Sequence, residues 1–405
     1  MGVEKKGKNA ANLQDSNLRL LLELLRTHEG MSRQDLVDKT SLSASGISKL
    51  VAFLIEKGMV VEDLPIARNK GRRAISLKLS NSICVIGVRL ARNYIKCGLF
   101  SLKGDLLFDE YQETSSKLLA ETTEALMELI GSALEKATKK GASVYGIGIS
   151  APGPLFSSDG RLVLTSNYPE WQGFSVKKFV EEQFGLPTIV EHDANVSVLA
   201  EKWYGKGKNC TNLIYVVADR GVGAGVYTND EVYTGHQNIA GEIGHTTIDY
   251  NGDKCECGNR GCLEMFCSST AVLKEARQIW ETKAPSGWQE KMTIDKLGEL
   301  AAGGDIYAQR LLVKTGTFLG IGLVNLINTY NPAMIIVGDE MTRAGMVWFD
   351  AVKDAVRKRS LEEVYKGTVI EMSELPIEPA FLGTGTLVTT RLFESISSVE
   401  FQMAR

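Results

Sequence analysis

The stretch from Gly241 to Glu264 reads GEIGHTTIDYNGDKCECGNRGCLE, and its donor atoms decide how the rest of the chain is read. His245, Cys255, Cys257 and Cys262 stand in the series H-x9-C-x-C-x4-C. Three thiolates and one imidazole are the donor set that tetrahedral zinc prefers, and four protein ligands leave no coordination position open. Gly252, Gly258 and Gly261 give the backbone the freedom that so short a ligand loop requires. The segment is polar and Gly-rich, so ordinary buried thiols would find little core to join there. The expectation is a structural zinc ion that holds the flanking carboxylates, Glu242 and Glu264, in fixed places.

GEIGHT followed by CxCGxxGCLE resembles the signature of the ROK family (repressors, open reading frames and sugar kinases), and the likeness runs over roughly residues 83 to 390. The resemblance implies an α/β body with the two-lobed actin-like ATPase fold of sugar kinases, with a cleft between the lobes. It implies zinc on the His and three Cys, a sugar on the neighbouring acids, and a homodimer or homotetramer. His192-Asp193-Ala194-Asn195 is similar to the family's NDAN motif, in which the Asp takes a proton from a sugar hydroxyl. From the residues alone, Asp193 is either a hydroxyl acceptor beside a helix N-terminus or simply the N-cap of that helix. His192 stands where the family usually has Asn. Thr165-Ser166-Asn167, with Trp171 and Gly173, resembles the PN…WxG sugar loop, Ser166 replacing Pro. Gly148 to Pro154, GISAPGP, resembles the loop whose backbone approaches the ligand. The resemblance thus assigns a sugar to Asn167, His192, Asp193, Glu242, His245 and Glu264, with His245 serving zinc and sugar through different ring nitrogens.

The family's phosphate loops are altered in three places. Where D-x-G-G-T is usual, the run is Arg89-Leu90-Ala91-Arg92-Asn93, so a magnesium-holding acid is an arginine and both phosphate-cradling glycines are gone. GTGIG becomes Asp219-Arg220-Gly221-Val222-Gly223-Ala224-Gly225, and GGG becomes Gly338-Asp339-Glu340. Phosphoryl transfer depends on positioned metal and phosphate contacts, so the expectation is a sugar site without catalysis. A working kinase and a zinc-responsive regulator remain as alternatives.

The first 80 residues differ in charge from the rest. They carry 14 Lys/Arg against 9 Asp/Glu, a net +5, whereas the remainder carries 32 against 40, a net −8. A basic end on an acidic body suits a polyanionic partner. Leu18, Leu21, Leu22 and Leu25 repeat at i, i+3, i+4, i+7, one apolar helical stripe. Ser32 to Asp35 reads as a capping box opening a second short helix. A third helix starts near Ser43, with Ile47, Leu50, Val51 and Leu54 inward and Ser45, Ser48, Lys49 and Ala52 outward. Met59 to Glu62 and Ala74 to Leu79 read as strands joined by a tip that carries Arg68, Lys70, Arg72 and Arg73. Together these predict a winged helix-turn-helix over residues 1–80. Ser43, Ser45, Ser48 and Lys49 would face the major groove of double-stranded operator DNA, and the tip would face phosphates or the minor groove. The other reading of the tip is a solvated basic turn on a protein-interaction module.

The boundary falls at Asn81-Ser82, and residues 81–405 form the sugar-binding and oligomerisation body. The body reads as alternating strands and helices: a hairpin from Ile83 to Phe100, a helix from Leu118 to Lys139, a strand from Val144 to Ser150 and a long helix from Ala308 to Asn328. At 405 residues, 44% hydrophobic and 23% charged, the composition is that of a globular protein of two or three domains. The N-terminus lacks the apolar core of a secretory signal, and no apolar run approaches the 18 residues of a membrane span, so no membrane partner is expected. Three of the seven cysteines go to metal; Cys84, Cys97, Cys210 and Cys267 are expected as free core thiols in a reducing cytoplasm.

Overall fold

A computed structural model describes residues 10–28, 30–66, 74–114, 118–162 and 169–398. The chain opens with three helices, α1 (Ala10–Thr27), α2 (Arg33–Thr40) and α3 (Ala44–Glu56). The leucine stripe of α1 is buried throughout, with Leu18, Leu21 and Leu22 at 0% exposure. Ser32 and Asp35 form the reciprocal capping box: Asp35 N–H donates to Ser32 Oγ (3.3 Å) and Ser32 N–H to Asp35 Oδ2 (2.8 Å). Ser43 caps α3 by accepting from Gly46 N–H at 3.1 Å. Ile47, Val51 and Leu54 are fully buried, but Leu50 is only half-buried, so the inward stripe is one residue narrower than the sequence suggests. An antiparallel pair follows, β1 (Val60–Ile66) with β2 (Ala74–Leu79), and Leu77 N–H donates to Met31 O at 2.8 Å. Three helices and a two-stranded hairpin are the layout of a winged helix-turn-helix. The tip residues Arg68, Lys70, Arg72 and Arg73 lie outside the described residues.

The body continues with β3 (Ile83–Leu90), β4 (Tyr94–Ser101), β5 (Leu106–Glu113), α4 (Leu119–Lys139), β6 (Ser143–Ala151), β7 (Leu155–Phe156) and β8 (Arg161–Leu162). Next come α5 (Val176–Phe184), β9 (Thr188–His192), α6 (Asp193–Trp203), β10 (Leu213–Ala218), β11 (Val222–Thr228) and β12 (Glu231–Val232). The chain ends with α7 (Glu264–Cys267), α8 (Ser269–Lys283), α9 (Ile294–Ala302), α10 (Ile306–Tyr330), β13 (Met334–Gly338), α11 (Met346–Arg359), α12 (Glu362–Lys366), β14 (Val369–Met372) and α13 (Pro379–Glu394). Two compact units divide these elements. Met1–Ile149, Lys177–Ile189 and Thr384–Arg405 form the first, and Ser150–Val176 with Val190–Gly383 the second.

In the sheet β5-β4-β3-β6-β9, the strands β5, β4, β3 and most of β6 belong to the first unit and β9 from Val190 onward to the second; β3 is buried along its whole length. β5, which the sequence reading did not pick out, pairs antiparallel with β4. The second unit is built on the sheet β12-β11-β10-β13-β14, with β13 parallel to both β10 and β14. Its core gathers Ile214, Val216, Leu319, Leu323, Ile335, Val337, Trp348 and Val352. Helix α10 corrects one expectation, being by length and composition long and apolar enough to cross a membrane. Most of that apolar surface is spent inside the unit, where Leu311, Leu312, Leu319, Leu323 and Ile327 are buried. Cys84, Cys97 and Cys267 are buried free thiols as expected; Cys210 is only half-buried, because it lies in the irregular segment between α6 and β10 and not in the core.

Candidate functional site

The metal cluster lies wholly in the second unit. His245 ends a short 3-10 helix, Ile243–His245, and the cysteines follow on a loop closed by its own backbone. Cys255 N–H donates to Asn259 O (2.8 Å), Gly261 N–H to Asp253 O (2.9 Å) and Ile248 N–H to Gly261 O (2.9 Å). A side chain at Gly261 would run into the Asp249 carbonyl, and its φ of 60° lies in the left-handed region, so only glycine fits that position. The donor atoms of His245, Cys255, Cys257 and Cys262 all lie within 4.8 Å of one another. Cys255 Sγ is 3.7 Å from His245 Nδ1, and Cys257 Sγ is 3.7 Å from Cys262 Sγ. Zinc–sulfur bonds of about 2.3 Å put neighbouring tetrahedral ligands about 3.8 Å apart, so the spacing fits a zinc-sized ion. Burial pushes the Cys262 thiol up to about 12, so loading a metal must displace its proton. Asn259, which the sequence reading passed over, donates its amide to His245 O (3.1 Å), Thr247 Oγ1 (2.9 Å) and Cys262 Sγ (3.4 Å). It joins two ligands from outside the coordination sphere.

The carboxylates come to the same region by close backbone packing. The segment Gly241 to His245 lies against β11: Ala224 N–H donates to Gly241 O at 2.8 Å, and a Cβ at Gly241 or Gly244 would strike a β11 carbonyl. On its other side β11 presents Gly225 to the Ala194 carbonyl in the first turn of α6. Gly225 of GVGAG therefore serves strand-to-helix contact, while a Cβ at Gly223 would come within 3.2 Å of the His192 ring. Only Asp219 to Gly221 form a turn, closed by Asp219 N–H to Gly221 O at 3.0 Å, so half of the run read as a phosphate loop is strand.

His192 ends β9 and precedes α6, which starts at Asp193. The N-cap position is His192, so Asp193 is not the helix cap that one reading of the sequence allowed. His192 Nε2 lies 3.3 Å from Asp193 Oδ1 and 4.0 Å from Glu242 Oε1. Both His192 and Asp193 are more than nine-tenths buried. Burial raises the Glu242 carboxyl above its ordinary value, against the pull of His192 and His245. A Cβ at Gly153 would lie 2.5 Å from the His192 ring and 2.8 Å from Glu242 Oε1, so the SAPGP loop reaches this group as bare backbone. Glu264 Oε2 accepts from Val222 N–H at 3.0 Å, two residues beyond the metal donor Cys262. Asn167 lies outside the described residues; Trp171, from the same motif, is buried edge-on to Phe174.

Sequence reasoning also missed Glu191. Its Oε1 accepts from His192 N–H (2.7 Å), Asn195 Nδ2 (3.0 Å) and Ser157 Oγ (2.8 Å), which fixes the strand-to-helix turn that presents His192 and Asp193. At the end of β13, Asp339 has φ 73° and ψ −159°, a conformation ordinarily reserved for glycine and costing about 1–3 kcal/mol elsewhere. Tyr215 Oη donates to Asp339 Oδ2 at 3.1 Å, and Ser269 Oγ donates to Glu340 Oε2. In the first unit, Arg89 is a buried residue of β3 paired in register with Lys96 of β4. On α3, Ser43, Ser45, Ser48 and Lys49 are exposed; Ser48 Oγ donates to Ala44 O at 2.9 Å.

An α/β body of two five-stranded sheets, with a His–carboxylate group beside a Cys3His cluster and a helix–wing segment in front, defines a chain built on a sugar-kinase frame. The chain belongs to the ROK family, whose pattern matches residues 85–391. It is 30% identical over 382 residues to the xylose repressor of Bacillus subtilis (strain 168), covering 94% of this chain and 97% of that one. Among solved structures it is similar to a ROK family transcriptional regulator described as a homologue of the E. coli Mlc protein (TM-score 0.82, 25% identity), covering 95% of this chain and 98% of that one. The ROK hexokinase of Thermus thermophilus matches with TM-score 0.64 and 27% identity, but all of that chain covers only 78% of this one.

Proposed function

We propose that this chain is a sugar-responsive transcriptional repressor whose residues 1–80 bind operator DNA and whose residues 81–405 hold the effector and the oligomer contacts, as a homodimer or homotetramer in the cytoplasm. The observation that carries the reading is the buried His192–Asp193 pair with half-buried Glu242, pinned next to a zinc-type cluster in a chain that also has a helix–wing start. Sugar hydroxyls would be met by Asn167, His192, Asp193, Glu242, His245 and Glu264, since buried carboxylates and an imidazole together offer acceptors and donors to a polyol. Zinc, held by His245, Cys255, Cys257 and Cys262, supplies rigidity and carries no reaction. The regulators similar to this chain match nearly all of it, whereas the hexokinase leaves out about a fifth, an amount equal to the helix–wing segment.

Loss of kinase chemistry fits the same reading. Arg89, Asp339 and Glu340 put charge and bulk where magnesium and phosphates need an acid and bare backbone. A coupled ADP-release assay with D-xylose and D-glucose is expected to give no turnover above the enzyme-free background; turnover of either would return the kinase reading.

DNA contact is tested at the wing. With an operator selected from a random duplex pool, Arg72→Ala combined with Arg73→Ala should weaken binding and lower the salt slope by about two, one for each lost phosphate contact. An unchanged slope would remove the wing from the interface.

A further inference from the structure

One side-chain contact spans almost the whole sequence and stands outside the ligand and metal groups. Arg26, in the last turn of α1, is 5% exposed, and its Nη2 donates to Thr386 Oγ1 on α13 at 3.0 Å. Its Nε reaches Lys103 O at 3.5 Å. Thr386 is fully buried. On the same two helices, Arg19 Nη1 in the middle of α1 pairs at 3.2 Å with Glu394 Oε1 at the end of α13. All of these contacts lie in the first unit. A surface guanidinium tolerates a partner that drifts, because water takes over its donors. A buried one holds its helix in register, because a lost partner leaves a charged donor dry.

Helix α13 is one continuous helix from Pro379 to Glu394, and its first turn belongs to the second unit. There Gly383 meets α6 so closely that a Cβ would strike the Val196 carbonyl. Val196 lies one turn beyond Asp193 on a helix buried from Asp193 to Glu201. Two residues further along α13, Gly385 is seated on Phe100 of β4, where a Cβ would come within 2.8 Å of the ring. Backbone packed at such contact cannot shift without displacing its neighbour.

We infer that α13 is the rod that carries effector occupancy at the first turn of α6 to the DNA-binding helices, and that Arg26 with Thr386 is its coupling to α1. This rests on the repressor reading above. A sugar that draws in His192 and Asp193 shifts α6; Val196 moves Gly383, and Thr386 moves Arg26 and α1 with it. Arg26 is a positioning residue and touches neither sugar nor DNA.

The test uses the full-length protein with D-xylose and D-glucose as probes. Sugar affinity is measured by calorimetry, and operator affinity by fluorescence anisotropy with and without sugar. In the wild type one of these sugars changes operator affinity by about fivefold or more. In Thr386→Val, which replaces the hydroxyl by a methyl of equal size, that factor falls toward one while sugar affinity stays within about twofold. Should the single variant fail to fold, Arg26→Met with Thr386→Val replaces the pair by apolar groups and has to show the same uncoupling. A wild type that responds and a folded variant that responds equally overturn the rod alone. A wild type whose operator affinity ignores both sugars, with no sugar bound in the calorimeter, overturns the effector reading and the rod with it.

Discussion

Replacing Cys262 by serine is expected to bring bound zinc from one ion per chain to almost none and to abolish the sugar response. Serine offers a harder oxygen on a shorter reach, and the remaining donors cannot close a tetrahedron around zinc. The consequence goes beyond the metal because of what Cys262 is joined to. It is followed by Leu263 and Glu264, and Glu264 Oε2 is held by Val222 N–H. On the other side His245 follows Glu242 by three residues, so both carboxylates hang from the ends of a single metal-closed loop. Without the ion, each regains torsional freedom that binding would have to remove again. Structural zinc in small sites contributes about 10 kcal/mol or more of binding free energy, so its loss should lower the melting temperature visibly. Metal analysis, calorimetric melting and operator binding with and without sugar check all three effects. Cys255→Ser and Cys257→Ser should behave alike. A variant free of metal that still answers to sugar would remove zinc from the scaffold.

What the sequence made legible was whatever lies close along the chain. The four metal donors fall within 18 residues, and their spacing alone groups them. The capping box at Ser32 and the leucine stripe of α1 are likewise local patterns, and both are in the structure. What stayed hidden depends on partners far apart in sequence or on backbone packing. Glu191 looked like an ordinary strand residue, yet it fixes the turn through Ser157, 34 residues earlier. The Arg26–Thr386 bond joins positions 360 residues apart, and no periodicity announces it. The close packing of Gly225 on the Ala194 carbonyl was equally illegible, because a glycine needed for contact with a helix cannot be told from one needed for a phosphate until the strand is seen. β5 escaped notice because DEYQ in its second half carries polar residues on consecutive positions and breaks the alternation of a half-buried strand.

Asp193→Asn is expected to weaken sugar binding by roughly 10- to 150-fold while leaving sugar-free operator binding intact, since a charged hydrogen bond contributes about 1.5–3 kcal/mol. The substitution keeps the volume of the buried side chain and exchanges one acceptor oxygen for a donor amide. A sugar hydroxyl that donates to Asp193 then meets an N–H, and the His192 ring 3.3 Å away loses its negative neighbour. Glu242→Gln should cost less, because burial already disfavours the charge that this change removes. In cells the Asp193 variant should need a correspondingly higher sugar concentration to change operator occupancy. Calorimetry on the purified variant, alongside its melting curve, separates lost contact from lost fold. Unaltered sugar affinity in a folded Asp193→Asn protein would move the effector away from the first turn of α6, and the acids beside the metal loop would then be scaffold alone.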